Sequence, residues 1–414
     1  MTDIVRPFRG LRVCPQHAAR VAAPPYDVVD TEEARALAGG NPDSFLHVSK
    51  PEIDFPVGVD PHSEEVYARA RANLDRLVEQ GLLRREETPS LYLYRVTMGE
   101  HVQTGVVAAA SLAAYLDGRI KQHELTNARK VEDRARNADA LDAHTGTLFL
   151  AYRAAAELDA EIALLSSGEP DTRVDAPDGI RHELWVIADP ASMASITAAI
   201  NTMPAVYIAD GHHRSAAAAK LAEWRGEQRR VDADVAAADW FLAVLFPHDQ
   251  VQILPYNRLV ATLGDGDLDD LLAGLSESFA VEPSASAVEP ERPGVFGLYS
   301  AGQWYRLVIH PERVPTDPLG RLDINLLERH CLAPLLGVKD QQADTRIDFV
   351  GGIRGAVELE RRVDSGEHAV AFSLYPTGLE DVLEVADAGD VMPTKSTWFE
   401  PKLRDGLIVL PLSD

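Results

Sequence analysis

The stretch RHELWVIADPASMASITAAINTMPAVYIADGHHRSAAAAKLAEW, residues 181–224, contains the pattern that decides the fold. Residues 181–189 and 204–210 are apolar runs typical of strands, and residues 190–203, which open with a proline, are typical of a helix. A strand, a helix and a second strand in this order predict an α/β unit. Because ligands of α/β sheets bind at the carboxyl ends of strands, the polar residues after the second strand form the first candidate site.

That candidate site consists of Asp210, Gly211, His212, His213 and Arg214, followed by an alanine-rich helix. Glycine permits a positive φ and brings no side chain against a ligand. The first amides of the helix favour an anion, and Arg214 and the histidines can donate hydrogen bonds to phosphate oxygens. Asp210 can hold Mg²⁺ or orient a hydroxyl. A zinc site, for which the nearby sequence offers no further Cys-rich or His-x-x-x-His pattern, and a polar helix cap are the alternatives.

A carboxylate for such a site is offered by IKQHELTNARKVEDRARNADALDAHTG, residues 120–146. His123 and Glu124 begin like the His-Glu-x-x-His helix of metalloproteases, but Asn127 stands where the second histidine is needed, so that interpretation fails. Glu124 can act as general base for a substrate hydroxyl or as a magnesium ligand. We therefore expect Glu124, Asp210 and His123 to be catalytic, and the alternative is a solvated, charged helix.

A basic segment near the end of the sequence, MPTKSTWFEPKLRDG, residues 392–406, supplies further candidates for phosphate binding. Its basic and hydroxyl residues are Lys395, Ser396, Thr397 and Lys402. Because the rest of the chain is acidic, these residues form the kind of local basic patch that an anionic ligand needs. The alternative is an exposed loop with ordinary lysines.

Composition restricts the class of protein. The chain has 414 residues, with 65 acidic and 40 basic side chains, and a net charge of −25. This charge disfavours a general nucleic-acid or anionic-membrane binder, so we expect a small-molecule substrate as the partner, and a homodimer is the assembly to test. Two cysteines and the lack of a long apolar run predict a cytoplasmic protein. The phosphate loop of P-loop NTPases, the dinucleotide fingerprint and the nucleophile elbow of hydrolases do not occur in the sequence.

Local patterns predict further elements. Residues 31–40 are typical of a short helix with Thr31 as its N-cap, and residues 64–81 of an amphipathic helix. Residues 90–99 and 101–112 are typical of a pair of strands, and VQILPYNRLV, residues 251–260, is a further strand-like run.

Segments 166–179 and 262–294 are rich in turn-forming residues and indicate boundaries. We expect a mixed α/β fold in three parts. Residues 1–170 form an N-terminal α/β region with the His-Glu and Glu-Asp-Arg motifs, residues 171–262 a nucleotide- and phosphate-binding region, and residues 263–414 a C-terminal α/β region with the MPTKSTWFEPK motif.

Five motifs in this order resemble the DUF1015 family of bacterial and archaeal proteins over essentially the whole chain. They are RPFRGLR, APPYDVV, HELT with EDR, IADGHHR and MPTKSTWFEPK. The Asp-Gly-His-His-Arg turn is also similar to the nucleotide-binding motif of the ParB and sulfiredoxin superfamily, which includes an ADP-dependent free serine kinase. This resemblance implies a ParB/sulfiredoxin-like core with additional α/β segments, and it implies that residues 210–214 contact nucleotide phosphates. One departure from the family pattern is Tyr256-Asn257 before Arg258.

Together these observations predict a phosphotransferase that uses ADP or ATP with Mg²⁺ held by Asp210. Its acceptor would be a small hydroxylated metabolite, with serine and phosphoserine as the favoured pair, and the reaction could run in either direction. A nucleotide-gated regulatory protein without turnover and a metal-dependent phosphohydrolase are the alternatives.

Overall fold

A computed structural model of the chain describes residues 2–227, 238–264, 266–341, 343–393 and 395–413. The helices and strands in these ranges confirm the predicted mixed α/β fold. They belong to two compact units. The first unit comprises Met1–Val251 and Pro401–Asp414, and the second comprises Gln252–Glu400.

The strands are β1 (Val5–Arg6), β2 (Leu11–Val13), β3 (Leu83–Arg85), β4 (Leu91–Met98), β5 (His101–Ser111), β6 (Ile120–Lys121), β7 (Ala143–His144), β8 (Leu148–Tyr152), β9 (Thr172–Asp175), β10 (Arg181–Ile187), β11 (Val206–Asp210), β12 (Trp240–Pro247), β13 (Gln252–Leu254), β14 (Tyr256–Val260), β15 (Phe279–Ser284), β16 (Val295–Ser300), β17 (Gln303–Ile309), β18 (Ile347–Gly351), β19 (Val370–Leu374), β20 (Trp398–Glu400) and β21 (Ile408–Pro411).

The α-helices are α1 (Ala18–Val21), α2 (Thr31–Leu37), α3 (Leu46–Ser49), α4 (Glu64–Glu79), α5 (Leu112–Leu116), α6 (Ala128–Leu141), α7 (Ala156–Leu165), α8 (Pro190–Asn201), α9 (His212–Glu227), α10 (Leu268–Leu275), α11 (Asp323–Leu327), α12 (Gly355–Asp364) and α13 (Leu379–Ala388).

The main sheet of the first unit has the strand order β6-β11-β8-β12-β5-β4-β10-β9, with β1 paired to β5. The predicted strand–helix–strand elements are present as β10, α8 and β11. Strand β11 runs parallel to β6 and antiparallel to β8, so the sheet is mixed. The apolar runs of the central strands are buried on this sheet, which places the polar end of β11 at the border of the core.

Helices α6 and α9 pack together beside that sheet. Val131 and Ala135 of α6 form a buried cluster with Ala217 and Leu221 of α9 and with Leu412. The small alanine side chains of α9 permit close approach of the two helices. This packing brings the beginning of α9 close to the segment that precedes α6.

The local signals near the beginning of the chain are confirmed with one correction. The helix predicted at residues 64–81 is present as α4. We expected Thr31 to be the N-cap of α2, which is wrong, because the Asp30 side chain accepts from the backbone N–H of Glu33 and the Glu33 side chain accepts from that of Asp30. This reciprocal capping box satisfies two backbone donors, which a threonine inside the helix does not do.

The second unit contains a sheet with the order β15-β17-β16-β19-β14-β18 and a pair formed by β13 and β20. The run VQILPYNRLV, predicted as one strand-like segment, forms the two strands β13 and β14 on either side of Pro255. Proline has no N–H for a ladder, which explains the break. Arg258 of β14 is only 1% exposed, and its guanidinium donates to the carbonyl oxygens of Tyr256 and Lys395.

Both cysteines, Cys14 and Cys331, are buried free thiols. None of the helices in the described ranges combines the length and the apolar character that crossing a bilayer would need.

Candidate functional site

The turn between β11 and α9 has the geometry that the Asp-Gly-His-His-Arg sequence predicts. Gly211 has a φ of +105°, a value that side chains other than glycine rarely allow. A Cβ atom at Gly211 would lie 3.3 Å from Arg214 Nε and 3.3 Å from Leu148 Cγ. Glycine therefore serves both the sharp turn and the close approach of Arg214.

Asp210, the last residue of β11, lies among cations. Its Oδ2 is 3.2 Å from the ammonium of Lys402 and 3.9 Å from the guanidinium of Arg214, and its side chain is 30% exposed. Burial alone would raise the pKa of Asp210, but Lys402 and Arg214 outweigh it and hold that pKa below the usual range. Asp210 is thus an ionised carboxylate with partial access to solvent.

His212 is 2% exposed and has a defined orientation. Its Nε2 accepts from the backbone N–H of His123 at 3.3 Å. A neutral imidazole with an acceptor at Nε2 carries its proton on Nδ1, and Nδ1 lies 3.6 Å from Oε2 of Glu124. The Glu124 side chain is 42% exposed, so the pair joins a buried imidazole to an accessible carboxylate.

His123 packs against His212 with the rings edge to face and their centroids 4.4 Å apart. Burial lowers the pKa of His123 to about 4. Burial, with His123 as the next cause, lowers the pKa of His212 well below its ordinary value. Both rings are therefore neutral at pH 7, which suits hydrogen bonding or metal ligation more than charge stabilisation.

His213 fixes the same neighbouring segment at a second point. Its Nε2 accepts from the backbone N–H of Asn127 at 3.0 Å. The Asn127 side chain in turn accepts from the backbone N–H groups of Arg129 and Lys130 and caps α6. The two adjacent histidines thus hold the segment of residues 123–127 against the turn, and the sequence pattern did not indicate this role.

Arg214 is the central cation of the site. It donates to the carbonyl of Thr147, and its guanidinium lies 3.6 Å from Asp27 in addition to the contact with Asp210. Burial would lower the pKa of Arg214, but Asp27 and Asp210 raise it above its ordinary value, so the side chain stays charged. A second guanidinium, that of Arg134, lies 4.2 Å above the ring of Tyr26.

The structure brings together most of the residues predicted for the site. Those that share the first unit around the turn are Glu124, His123, Asp210, Gly211, His212, His213, Arg214 and Lys402. Lys395, Ser396 and Thr397 belong to the second unit. There Lys395 is exposed, its ammonium lies 5.4 Å from the ring of Tyr256, and the Ser396 hydroxyl donates to the carbonyl of Pro393.

Sequence reasoning missed Asp27, Arg134 and Asp405 as parts of the site. Asp27 and Arg134 lie within the motifs APPYDVV and EDR, and Asp405 lies in the basic segment 392–406. Their positions in the chain gave no sign that they surround Arg214, because that contact depends on packing between distant segments.

One group of side chains in the described ranges has the composition of a metal centre. His123, Glu124 and His212 each offer one ligand atom, and these atoms lie within 4.8 Å of one another. Two imidazoles and a carboxylate suit zinc and other transition metals, whereas magnesium prefers oxygen ligands. Asp210, the residue predicted to hold Mg²⁺, lies outside this group.

Several solved structures are similar to the chain. A variant of free serine kinase in complex with AMP is 15% identical, with 73% of this chain and 92% of that chain covered and a TM-score of 0.36. A conserved hypothetical protein from Pyrococcus furiosus is 16% identical, with 73% and 95% covered and a TM-score of 0.34. SbnI with a C-terminal truncation, from Staphylococcus aureus, is 10% identical, with 74% and 87% covered and a TM-score of 0.40.

No curated protein matches the sequence. The family DUF1015, described as a protein of unknown function, matches residues 5–325. These residues contain the turn after β11, the segment 123–127 and the Glu-Asp-Arg motif of α6. Because the match covers more than half of the chain, this protein belongs to the DUF1015 family.

Proposed function

We propose that this protein transfers a phosphoryl group between a nucleotide and a small hydroxylated metabolite, with serine and phosphoserine as the favoured pair. The observation that carries the proposal is the position of Glu124, whose accessible carboxylate lies against His212 directly beside the Gly211 turn. A phosphate-binding turn and a carboxylate for the acceptor hydroxyl are the two parts that phosphoryl transfer needs.

The phosphates of ADP or ATP would bind at the turn. The first amides of α9, the guanidinium of Arg214 and the Nδ1–H of His213 would donate to phosphate oxygens. Lys402 lies 3.2 Å from Asp210, within reach of the same region. Lys395, Ser396 and Thr397, which the sequence suggested for the same role, belong to the second unit, and the proposal does not include them.

Proton transfer would be the task of Glu124. Its carboxylate takes the proton of the acceptor hydroxyl as the oxygen–phosphorus bond to the acceptor forms and the bond to the leaving nucleotide oxygen breaks. His212 acts as a positioning residue, because its Nδ1–H faces the carboxylate while its Nε2 is held by the backbone of His123. The same groups serve the reverse direction, in which Glu124 returns the proton.

Magnesium fits this site as the counter-ion of the nucleotide. Asp210 offers one ionised, partly exposed carboxylate, and Lys402 and Arg214 already offset its charge. A single carboxylate together with substrate phosphates is a common way for proteins to bind Mg²⁺. Asp210 would hold the ion, which would supply additional charge stabilisation of the phosphates.

The variant Glu124→Gln tests the proposal. We expect it to show the same increase in melting temperature with ADP and ATP as the native protein, and to lose transfer between nucleotide and serine or phosphoserine by about a hundredfold or more, measured by mass spectrometry in both directions. Glu223→Gln, at an exposed position of α9, is the matched control and keeps the activity. Native protein that binds nucleotide but transfers nothing would favour a nucleotide-gated regulator instead.

A metal-dependent phosphohydrolase is a second candidate, favoured by the group of His123, Glu124 and His212. This function predicts release of inorganic phosphate from phosphoserine without ADP, with activity that a chelator removes and Zn²⁺ or Mn²⁺ restores. Phosphoserine turnover that requires ADP and yields ATP would contradict it.

A further inference from the structure

A small cavity lies on the side of Arg214 that faces α6. It measures about 40 Å³, and its polar lining includes Tyr26, Arg134, Asn137, His144, Arg214 and Asp405. A volume of this size holds a few water molecules or one carboxylate or phosphate group. All of these residues belong to the first unit.

Three buried nitrogen atoms of this lining have no hydrogen-bond partner among the described residues. They are Asn137 Nδ2, His144 Nε2 and Arg214 Nε. Asn137 Nδ2 and Arg214 Nε can only donate a hydrogen bond, and His144 Nε2 donates in one of the two tautomers of the ring. Buried polar groups are almost always hydrogen-bonded, so a set of unpartnered donors around one cavity indicates an occupant with acceptor atoms.

The charges around the cavity also favour an anion. Arg134 and Arg214 both line it. Arg134 is paired with Asp133 at 2.6 Å, and Arg214 is shared between Asp27 and Asp210. Asp405 is the carboxyl group of the lining, and burial raises its pKa to about 7. Because this raised pKa favours the protonated form of Asp405, the two guanidinium groups are the stronger charges of the lining.

The cavity adjoins the phosphate-binding turn through shared residues. Arg214 and Leu148 both line the cavity, and both lie within 3.3 Å of the position that a Cβ atom of Gly211 would take. A group bound in the cavity is therefore separated from the turn by the width of one guanidinium.

We propose that this cavity binds the carboxylate of the phosphoryl acceptor through Arg134, Asn137 and Arg214, and that the acceptors of this protein are small hydroxy acids, including hydroxy amino acids, rather than simple alcohols or sugars. This inference rests on the proposed phosphotransferase function. The Nε–H of Arg214 and the amide of Asn137 supply donors for the two oxygens of a carboxylate, and the guanidinium of Arg134 supplies a positive charge beside them.

Calorimetric titration of the full chain, with and without ADP, tests the inference. The probes are L-serine and glycerate, which carry a carboxylate, ethanolamine, which has the hydroxyl without it, and inorganic phosphate. We expect the two carboxylates to bind and ethanolamine to bind at least about tenfold more weakly. Equal binding of ethanolamine would overturn the inference. Inorganic phosphate that competes with L-serine at equal affinity would also overturn it, and so would a native protein that binds none of the four probes.

The variant Asn137→Asp replaces the amide donor by an acceptor of the same size. We expect it to weaken serine binding by about tenfold or more and to leave the ADP-induced rise in melting temperature unchanged. Gln80→Glu, which adds the same charge at the exposed end of α4, is the control. If Asn137→Asp does not fold, Asn137→Ala is the second variant, because it removes the unpartnered amide donor without adding a charge, and we expect the same loss of serine binding with the ADP response unchanged.

The two proposals fail separately. Serine binding that is weakened by Asn137→Asp, without any transfer to nucleotide, would refute the phosphotransferase and keep the carboxylate site. Transfer to an acceptor that lacks a carboxylate would refute the carboxylate site and keep the phosphotransferase.

Discussion

The Gly211 turn of the first unit and the Lys395 segment of the second are both short, polar stretches with basic residues, yet their side chains are used differently. At the turn, the side chains of Asp210 and Arg214 face other charged residues, and Glu124 remains partly exposed. In the second unit, the hydroxyl of Ser396 and the carbonyl of Lys395 are engaged by Pro393 and by buried Arg258. The difference teaches that residue types alone do not make a site, because local hydrogen bonds can satisfy the same groups.

The largest test of this comparison replaces the arginine of each region. Arg214→Met leaves Asp27 and Asp210 without their shared cation, and we expect a loss of about 3 kcal/mol in the free energy of unfolding and complete loss of nucleotide binding. Arg258→Met leaves buried carbonyl oxygens without a donor, with a loss of about 1–3 kcal/mol and nucleotide binding retained. Urea unfolding measures the stability of the two variants, and thermal shift with ADP measures their nucleotide binding. Nucleotide binding by Arg214→Met would refute the assignment of the Gly211 turn as the phosphate site.

Two glycines give the next largest contrast. Gly211→Ala places a Cβ at a φ of +105° and 3.3 Å from Arg214, so we expect a loss of about 2 kcal/mol in stability together with weaker ADP binding. Gly389→Ala has a φ of +76° and open space around the Cβ, and we expect about 1 kcal/mol without any effect on ADP. Equal ADP binding by the two variants would show that the turn does not hold phosphates.

The two lysines of the basic segment separate the regions further. Lys402→Met leaves Asp210 with only the more distant Arg214, and we expect about tenfold weaker ADP binding. Lys395→Met removes an exposed ammonium near Tyr256, and we expect less than a threefold change, on the order of 0.5 kcal/mol. Fluorescence titration with ADP measures both affinities. A loss of ADP affinity in Lys395→Met as large as that in Lys402→Met would assign the second unit a part in nucleotide binding.

The last comparison concerns two buried carboxyl groups whose pKa values are raised alike. Burial raises the pKa of Asp405 and of Asp323 to about 7. The unfolded chain releases these protons near pH 4, so the native state binds more protons between about pH 4 and 7, and stability falls as the pH rises through this range, by on the order of 1 kcal/mol per pH unit for each group.

We expect both Asp405→Asn and Asp323→Asn to remove part of the decrease in the free energy of unfolding with rising pH, measured by urea unfolding from pH 4 to 8. The charged groups around Asp405 are Arg214, Asp27, Arg134 and Arg404, and those around Asp323 are Asp381 and Arg292. Only Asp405 lines the carboxylate cavity, so only its replacement should also change the affinity for glycerate. An effect of Asp323→Asn on glycerate would contradict this separation.

Local signals in the sequence were sufficient for much of the fold. The antiparallel pair β4 and β5, the amphipathic helix α4 and the strand–helix–strand run that ends at Asp210 were all predicted, because each depends on periodicity and on a turn between neighbours. The Gly211 turn belongs to this class, since its conformation is set by adjacent residues.

The surroundings of the turn could not be predicted in the same way. Asp27 and Lys402 reach residues 210–214 from segments about 190 positions away, and the sequence contains no periodic pattern that reports such contacts. The role of His212 and His213 in holding the segment 123–127 was also not indicated, because it depends on backbone N–H groups, which every residue except proline carries.

The return of residues 401–414 to the first unit has a consequence for the order of synthesis. Strand β21 pairs with β2 and β7, and Lys402 and Asp405 come from the same segment. A ribosome must therefore translate the whole second unit before these partners of Arg214 and Asp210 exist. A nascent chain that has emerged only as far as residue 251 lacks them, so ADP-responsive folding should begin only after residue 405 has left the exit tunnel.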